Sequence, residues 1–76
     1  MKEEKRLEII YQQTLMSLEK NQTEKMEIQK SLSDPKIKAT DVNKLTAAIK
    51  NLTQTIDYEI KTLKTLAVII GNDGEA

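Results

Sequence analysis

Seventy-six residues allow one domain, whose own interior at this size contributes only about 3–5 kcal/mol. Cysteine and histidine are both absent, which excludes disulfides and removes the usual ligands of a structural zinc, leaving association with other chains as the remaining source of stability. Twelve basic residues cancel twelve acidic ones without long runs of one sign, so neither a polybasic arm for phosphate backbones nor a basic surface for anionic lipid is advertised.

The first stretch, Met1 to Arg6, is charged and leads into a helical pattern without the apolar segment of a signal peptide. No part of the chain approaches the ~18–20 consecutive apolar residues of a membrane span. The expectation is a soluble, unprocessed protein with no membrane partner, placed by default in the reducing cytoplasm because it lacks cysteine. From Lys2 to Leu32 there is no Gly or Pro, and Glu, Lys, Gln, Leu and Met dominate, which predicts one helix over 2–32. At about 100° per residue, Leu7, Ile10, Tyr11, Leu15, Leu18, Met26, Ile28 and Leu32 share one sector of that helix. Thr14, Asn21, Gln22, Lys25 and Gln29 fall in the same sector and weaken it.

Ser33, Asp34 and Pro35 break the pattern, because proline lacks the helical donor and disfavours helical geometry at the residue before it. Asp34 before Pro35 also suits a single capped turn. Thr40 and Asp41 form the start signal of a second helix, a hydroxyl for the free amides followed by a negative charge at the positive end of the helix dipole. Val42, Leu45, Ile49, Leu52, Ile56, Leu63, Leu66 and Ile70 then follow the three-and-four spacing of a heptad. The position expected after Ile56 is Glu59, with Ile60 beside it taking part of the apolar role. The helix closes on five apolar residues in a row, Leu66, Ala67, Val68, Ile69 and Ile70, and Gly71 is expected to stop it, leaving 72–76 as a polar, disordered tail.

A short connection between two long helices favours an antiparallel hairpin. The expected organisation is one hairpin domain over 1–71, with helices 2–32 and 41–70 and a turn at 33–40. Folding about Lys36 or Ile37 sets Leu32 opposite Val42, Ile28 near Leu45, Leu18 near Ile56 and Tyr11 near Leu63, with Glu59 near Thr14 and Tyr11. The fold class is all-α, an antiparallel two-helix hairpin assembling into a homo-oligomeric bundle, four-helical if dimeric.

That fold-back gathers apolar residues at the open end of the hairpin, and Ile9, Val68 and Ile69 point away from the seam. Contiguous exposed apolar patches usually mark interfaces, so the candidate oligomer or partner surface comprises Leu7, Ile9, Ile10, Met16, Tyr58, Leu66, Val68, Ile69 and Ile70. A second constellation, Asn21, Gln22, Lys25 and Glu59, puts polar groups at the seam. It reads either as a device fixing register and oligomer state or as a polar pocket for a small ligand. No Ser elbow, glycine-rich phosphate loop or carboxylate set with metal-ligand spacing occurs, so no catalytic, metal or cofactor-binding residue is assigned and the chain is read as a non-enzyme. Lys30, Lys36 and Lys38 gather near the turn, a weak basic signal that a solvated loop also explains.

The stretch SLSDPKIKATDVNKLTAAIKNLTQTIDYEIKTL, Ser31 to Leu63, resembles the helical-hairpin oligomerisation region of small phage-encoded proteins such as small terminase subunits. The resemblance covers under half of the chain and implies self-association, a phage-encoded accessory or adaptor protein, and the host cytoplasm. Those subunits carry a DNA-binding helix-turn-helix before the hairpin, where this chain has one uninterrupted helical pattern, so no residue role is transferred. Three functional readings follow. The leading one is an oligomeric hairpin acting by protein–protein interaction with itself, most simply as a dimer, and with another protein. The others are an oligomer sequestering a small molecule or nucleotide, and a nucleic-acid-binding accessory protein of DNA packaging. No cofactor is expected.

Overall fold

The computed structural model describes the backbone of residues 2–75 and the side chains of residues 5–71. These residues form two helices and no strand: α1, Lys2–Leu32, and α2, Ala39–Glu75. α1 has the extent its composition predicts. It ends where Ser33 donates its backbone N–H to the Gln29 and Lys30 carbonyls, at 3.2 Å each, and its hydroxyl to the Lys30 carbonyl at 2.7 Å, so the last carbonyls of the helix are not left orphaned.

The connection is built on Asp34. Its carboxylate accepts the Lys36 N–H at 2.9 Å and its carbonyl accepts the Ile37 N–H at 3.2 Å, closing a turn around Pro35. The Lys38 carbonyl then accepts the Asp41 and Val42 amides at 3.0 Å. α2 therefore starts from Lys38 and not from Thr40, because the Asp34 turn already delivers the chain in position for that first bond. The expected stop at Gly71 is corrected as well. Gly71 has no positive φ and helical backbone continues through it to Glu75. Glycine permits a left-handed cap but does not impose one, and in a helix it costs only about 1 kcal/mol relative to alanine. Ala76, the end of the expected tail, lies outside the described residues.

The helices pack side by side around Leu18, Ile56 and Leu63, with Tyr11, Leu15 and Ile60 against them; Leu66 is buried too. One cross-helix bond fixes the register: Asn21 Nδ2 donates to Glu59 Oε1 at 2.7 Å. Around it, Leu18 packs with both Ile56 and Leu63. Tyr11 shares a groove with Ala67 and Ile70, and Lys25 shares one with Ile56. Leu18 thus lies with Ile56 as expected, with Leu63 in the same cluster and Tyr11 packed against it, while Glu59 has Asn21 as its partner in place of the expected Thr14 or Tyr11. At the turn, Ser31 of α1 and the half-buried Ile37 line one groove with Leu45 of α2.

The result is a rod of 57 × 14 × 14 Å with a radius of gyration of 17.1 Å, against roughly 11 Å for a compact domain of this length. Its accessible surface is 6257 Å², about 1,500 Å² above what a compact chain of 8.7 kDa presents. A seam between only two helices is open to solvent on both flanks. Among the described residues no large side chain is fully sealed, and even Leu18 and Ile56 keep 7% of their surface exposed.

Candidate interaction site

Both constellations expected from the sequence lie on this rod. Glu59 occupies the seam position that the heptad requires and is 8% exposed, while Asn21 faces it half-buried. Their direct bond replaces the expected bond to Thr14 or Tyr11; the Thr14 hydroxyl donates instead to the Ile10 carbonyl, 2.8 Å away on its own helix. Asn21 stands seven residues beyond Thr14 on the same face of α1. Among the described residues every buried side-chain nitrogen or oxygen has a hydrogen-bond partner, so this polar layer is satisfied within one chain.

Lys25, half-buried one turn on from Asn21, and the exposed Gln22 line a shallow open groove with Met26, Gln29 and Ile56. The four candidates for a polar pocket thus sit within two turns of one another but divide their roles: Asn21 and Glu59 bond each other inside the seam, while Gln22 and Lys25 flank it. Buried carboxylates and amides that satisfy each other chiefly specify alignment, because any other pairing strands two polar groups against apolar ones.

Of the nine candidate interface residues, Leu66 is buried in the seam and Leu7 and Ile70 are half-buried. Ile9, Ile10, Met16, Tyr58, Val68 and Ile69 are exposed, with Val68 at 61% and Tyr58 at 72%. Ile10, which shares the apolar sector of α1 and belongs to the expected interface set, is exposed at the edge of the seam. The observed seam steps from Leu7 to Tyr11 to Thr14, leaving Ile10 on its flank opposite Ile69. Met26 moves outward as well, for the same reason: Lys25 takes the seam position beside it. The sequence signal that identifies this shift is the heptad itself, since Leu7, Tyr11, Thr14, Leu18, Asn21, Lys25, Ile28 and Leu32 keep three-and-four spacing only if the polar residues are admitted.

Lys36, Lys38 and Lys44 share a groove at the turn with Asp34 and Asp41, so charges of both signs meet there. Among the described residues, no three of His, Cys, Asp and Glu are grouped to hold a metal ion, and no helix is long and apolar enough to cross a membrane. Comparison with known proteins gives no match: no family model, no curated protein and no solved structure matches this sequence.

Proposed function

We propose that this chain is a non-enzymatic helical-hairpin protein that self-associates, most simply as a dimeric four-helix bundle, and acts by binding another protein. The observation that carries this reading is the exposure of Ile9, Ile10, Val68 and Ile69 at one end of a rod with about 1,500 Å² more surface than a compact chain of its mass. A standard interface removes about 800 Å² from each partner, so a second chain would use half of that surplus.

The sequestering reading draws less support, because Asn21 and Glu59 spend their polar groups on each other. The nucleic-acid reading is weakened by Asp34 and Asp41 among the turn lysines. Sedimentation equilibrium at micromolar concentration tests the proposal. The expected mass is that of two or more chains, and Ile69→Lys shifts the equilibrium toward monomer by roughly a hundredfold, since each of two copies loses about 1.5 kcal/mol or more of aliphatic burial. A folded monomer over the whole range refutes it.

A further inference from the structure

Next to the seam, α2 carries a second row at three-and-four spacing that contains no charge. It runs from Ala48 through Asn51 and Thr55 to Tyr58, and on through Thr62 and Thr65 to Ile69. Of the charges of α2 in this stretch, Glu59 is buried in the seam, Lys61 borders the row, and Lys50, Asp57 and Lys64 lie outside it. The threonine hydroxyls in the row are already occupied. Thr55 donates to the Asn51 carbonyl at 3.1 Å, Thr62 to that of Tyr58 at 2.9 Å, and Thr65 to that of Lys61 at 3.0 Å. Covering these threonines therefore strands no donor, and their methyl groups are left to face a neighbour. Tyr58, Thr62 and Thr65 border a shallow groove with Leu66 of the seam among its lining residues.

The row is complementary to itself when reversed. Small residues, Ala47 and Ala48, stand as far before Tyr58 as the exposed Val68 and Ile69 stand after it. Laid antiparallel on a second α2 about a two-fold axis at Tyr58, Ile69 meets Ala48 of the copy, Val68 meets its Ala47, and Thr55 meets its Thr62. Lys61 then meets Gln54 and not another lysine. Such an interface draws on the surplus surface of the rod, and small residues allow close approach of the helices.

We infer that the occupant of this face is a second copy of the chain, packed α2 against α2 in antiparallel fashion with Tyr58 on the two-fold axis. This inference rests on the self-association proposed above and adds its geometry. Because the sequence has no cysteine, single-cysteine variants of the full chain test it directly with a short thiol-specific crosslinker. Tyr58→Cys, at an exposed position that the fold does not need, links to itself in most chains. Ile69→Cys alone links several-fold less, and a mixture of Ala48→Cys with Ile69→Cys yields the mixed product. Thr55→Cys mixed with Thr62→Cys supplies a second pair should the first variant fail to fold.

A protein that sediments as a monomer overturns both the self-association and its geometry. Dimers that link at Val68→Cys or Ile9→Cys to themselves, but not at Tyr58→Cys, overturn the geometry alone and replace it with end-to-end contact. Equal self-linking at Tyr58→Cys and Ile69→Cys overturns the antiparallel direction.

Discussion

The Asn21–Glu59 bond makes opposite predictions for one substitution and for two. Replacing Glu59 by Ala removes a hydrogen bond to an ionised group, about 1.5–3 kcal/mol, and opens a gap in a seam position that is 8% exposed. Replacing Asn21 alone by Leu leaves the carboxylate buried without its donor, at a similar or greater cost. Replacing both by Leu forfeits the bond but buries two aliphatic side chains at about 1.5–3 kcal/mol each, for a net stabilisation of about 1–4 kcal/mol, the range seen when buried polar pairs give way to apolar ones. At roughly 4–8 °C per kcal/mol for a domain of this size, each single variant melts about 6–24 °C below the parent and the double variant melts above it. Thermal unfolding followed by circular dichroism at one fixed protein concentration, with Glu59→Leu added to complete the four corners of the cycle, measures all of these, the fixed concentration keeping the contribution of mass action comparable. Additive effects, with Asn21→Leu alone as stabilising as half the double variant, would show that the carboxylate is solvated and that the bond does not hold the register.

Three further outcomes follow from the fold. Leu18→Ala removes the residue between Ile56 and Leu63 and lowers stability by about 2–5 kcal/mol in urea unfolding; a loss under 1 kcal/mol would mean the hairpin does not pack as described. Gly71→Ala raises the melting temperature by a few degrees, worth about 0.5–1 kcal/mol, because Gly71 lies within helical backbone and an added Cβ meets nothing within 4 Å; a decrease would show that Gly71 caps the helix in solution. Asp34→Ala removes the acceptor of the Lys36 amide and costs about 0.5–2 kcal/mol, whereas Asp34→Asn, which keeps an acceptor, restores most of the loss.

Helix number, the extent of α1 and the seam of α2 were legible because long stretches without Gly or Pro and regular apolar spacing report directly on local geometry. Register was not, and the reason is the heptad: sliding one helix by seven residues returns every aliphatic position to an aliphatic position, so Leu18 fits opposite Ile56 as well as opposite Leu63. Only the exceptions break that degeneracy. Asn21 and Glu59 were visible as exceptions, yet pairing them required the geometry of the connection, and the groove that Ser31, Ile37 and Leu45 line together is a tertiary fact. Exposure was not legible at Met26, which lies at the surface because Lys25 takes the seam position beside it. Ile9, Met16, Tyr58, Val68 and Ile69 were identifiable as outward-facing without it, since the helix on which each lies settles the matter.

The turn at Asp34 and Pro35 has a consequence for the order of folding. With Ser31 and Leu45 lining one groove at the turn, the first layer closes over a short loop, and each layer after it adds one turn of both helices, so the loss of chain entropy is spread over small steps. Asn21 and Glu59, thirty-eight residues apart, come together only after the layers between them and the turn have formed. A chain zipping from the turn one heptad out of line would be stopped there, with an amide and a carboxylate each facing leucine or threonine, and would have to open again before the open end could close. The polar layer then acts as a checkpoint in time as well as a contact in space, and removing it by the double Leu variant would speed the closing of misaligned hairpins as it stabilises the aligned one.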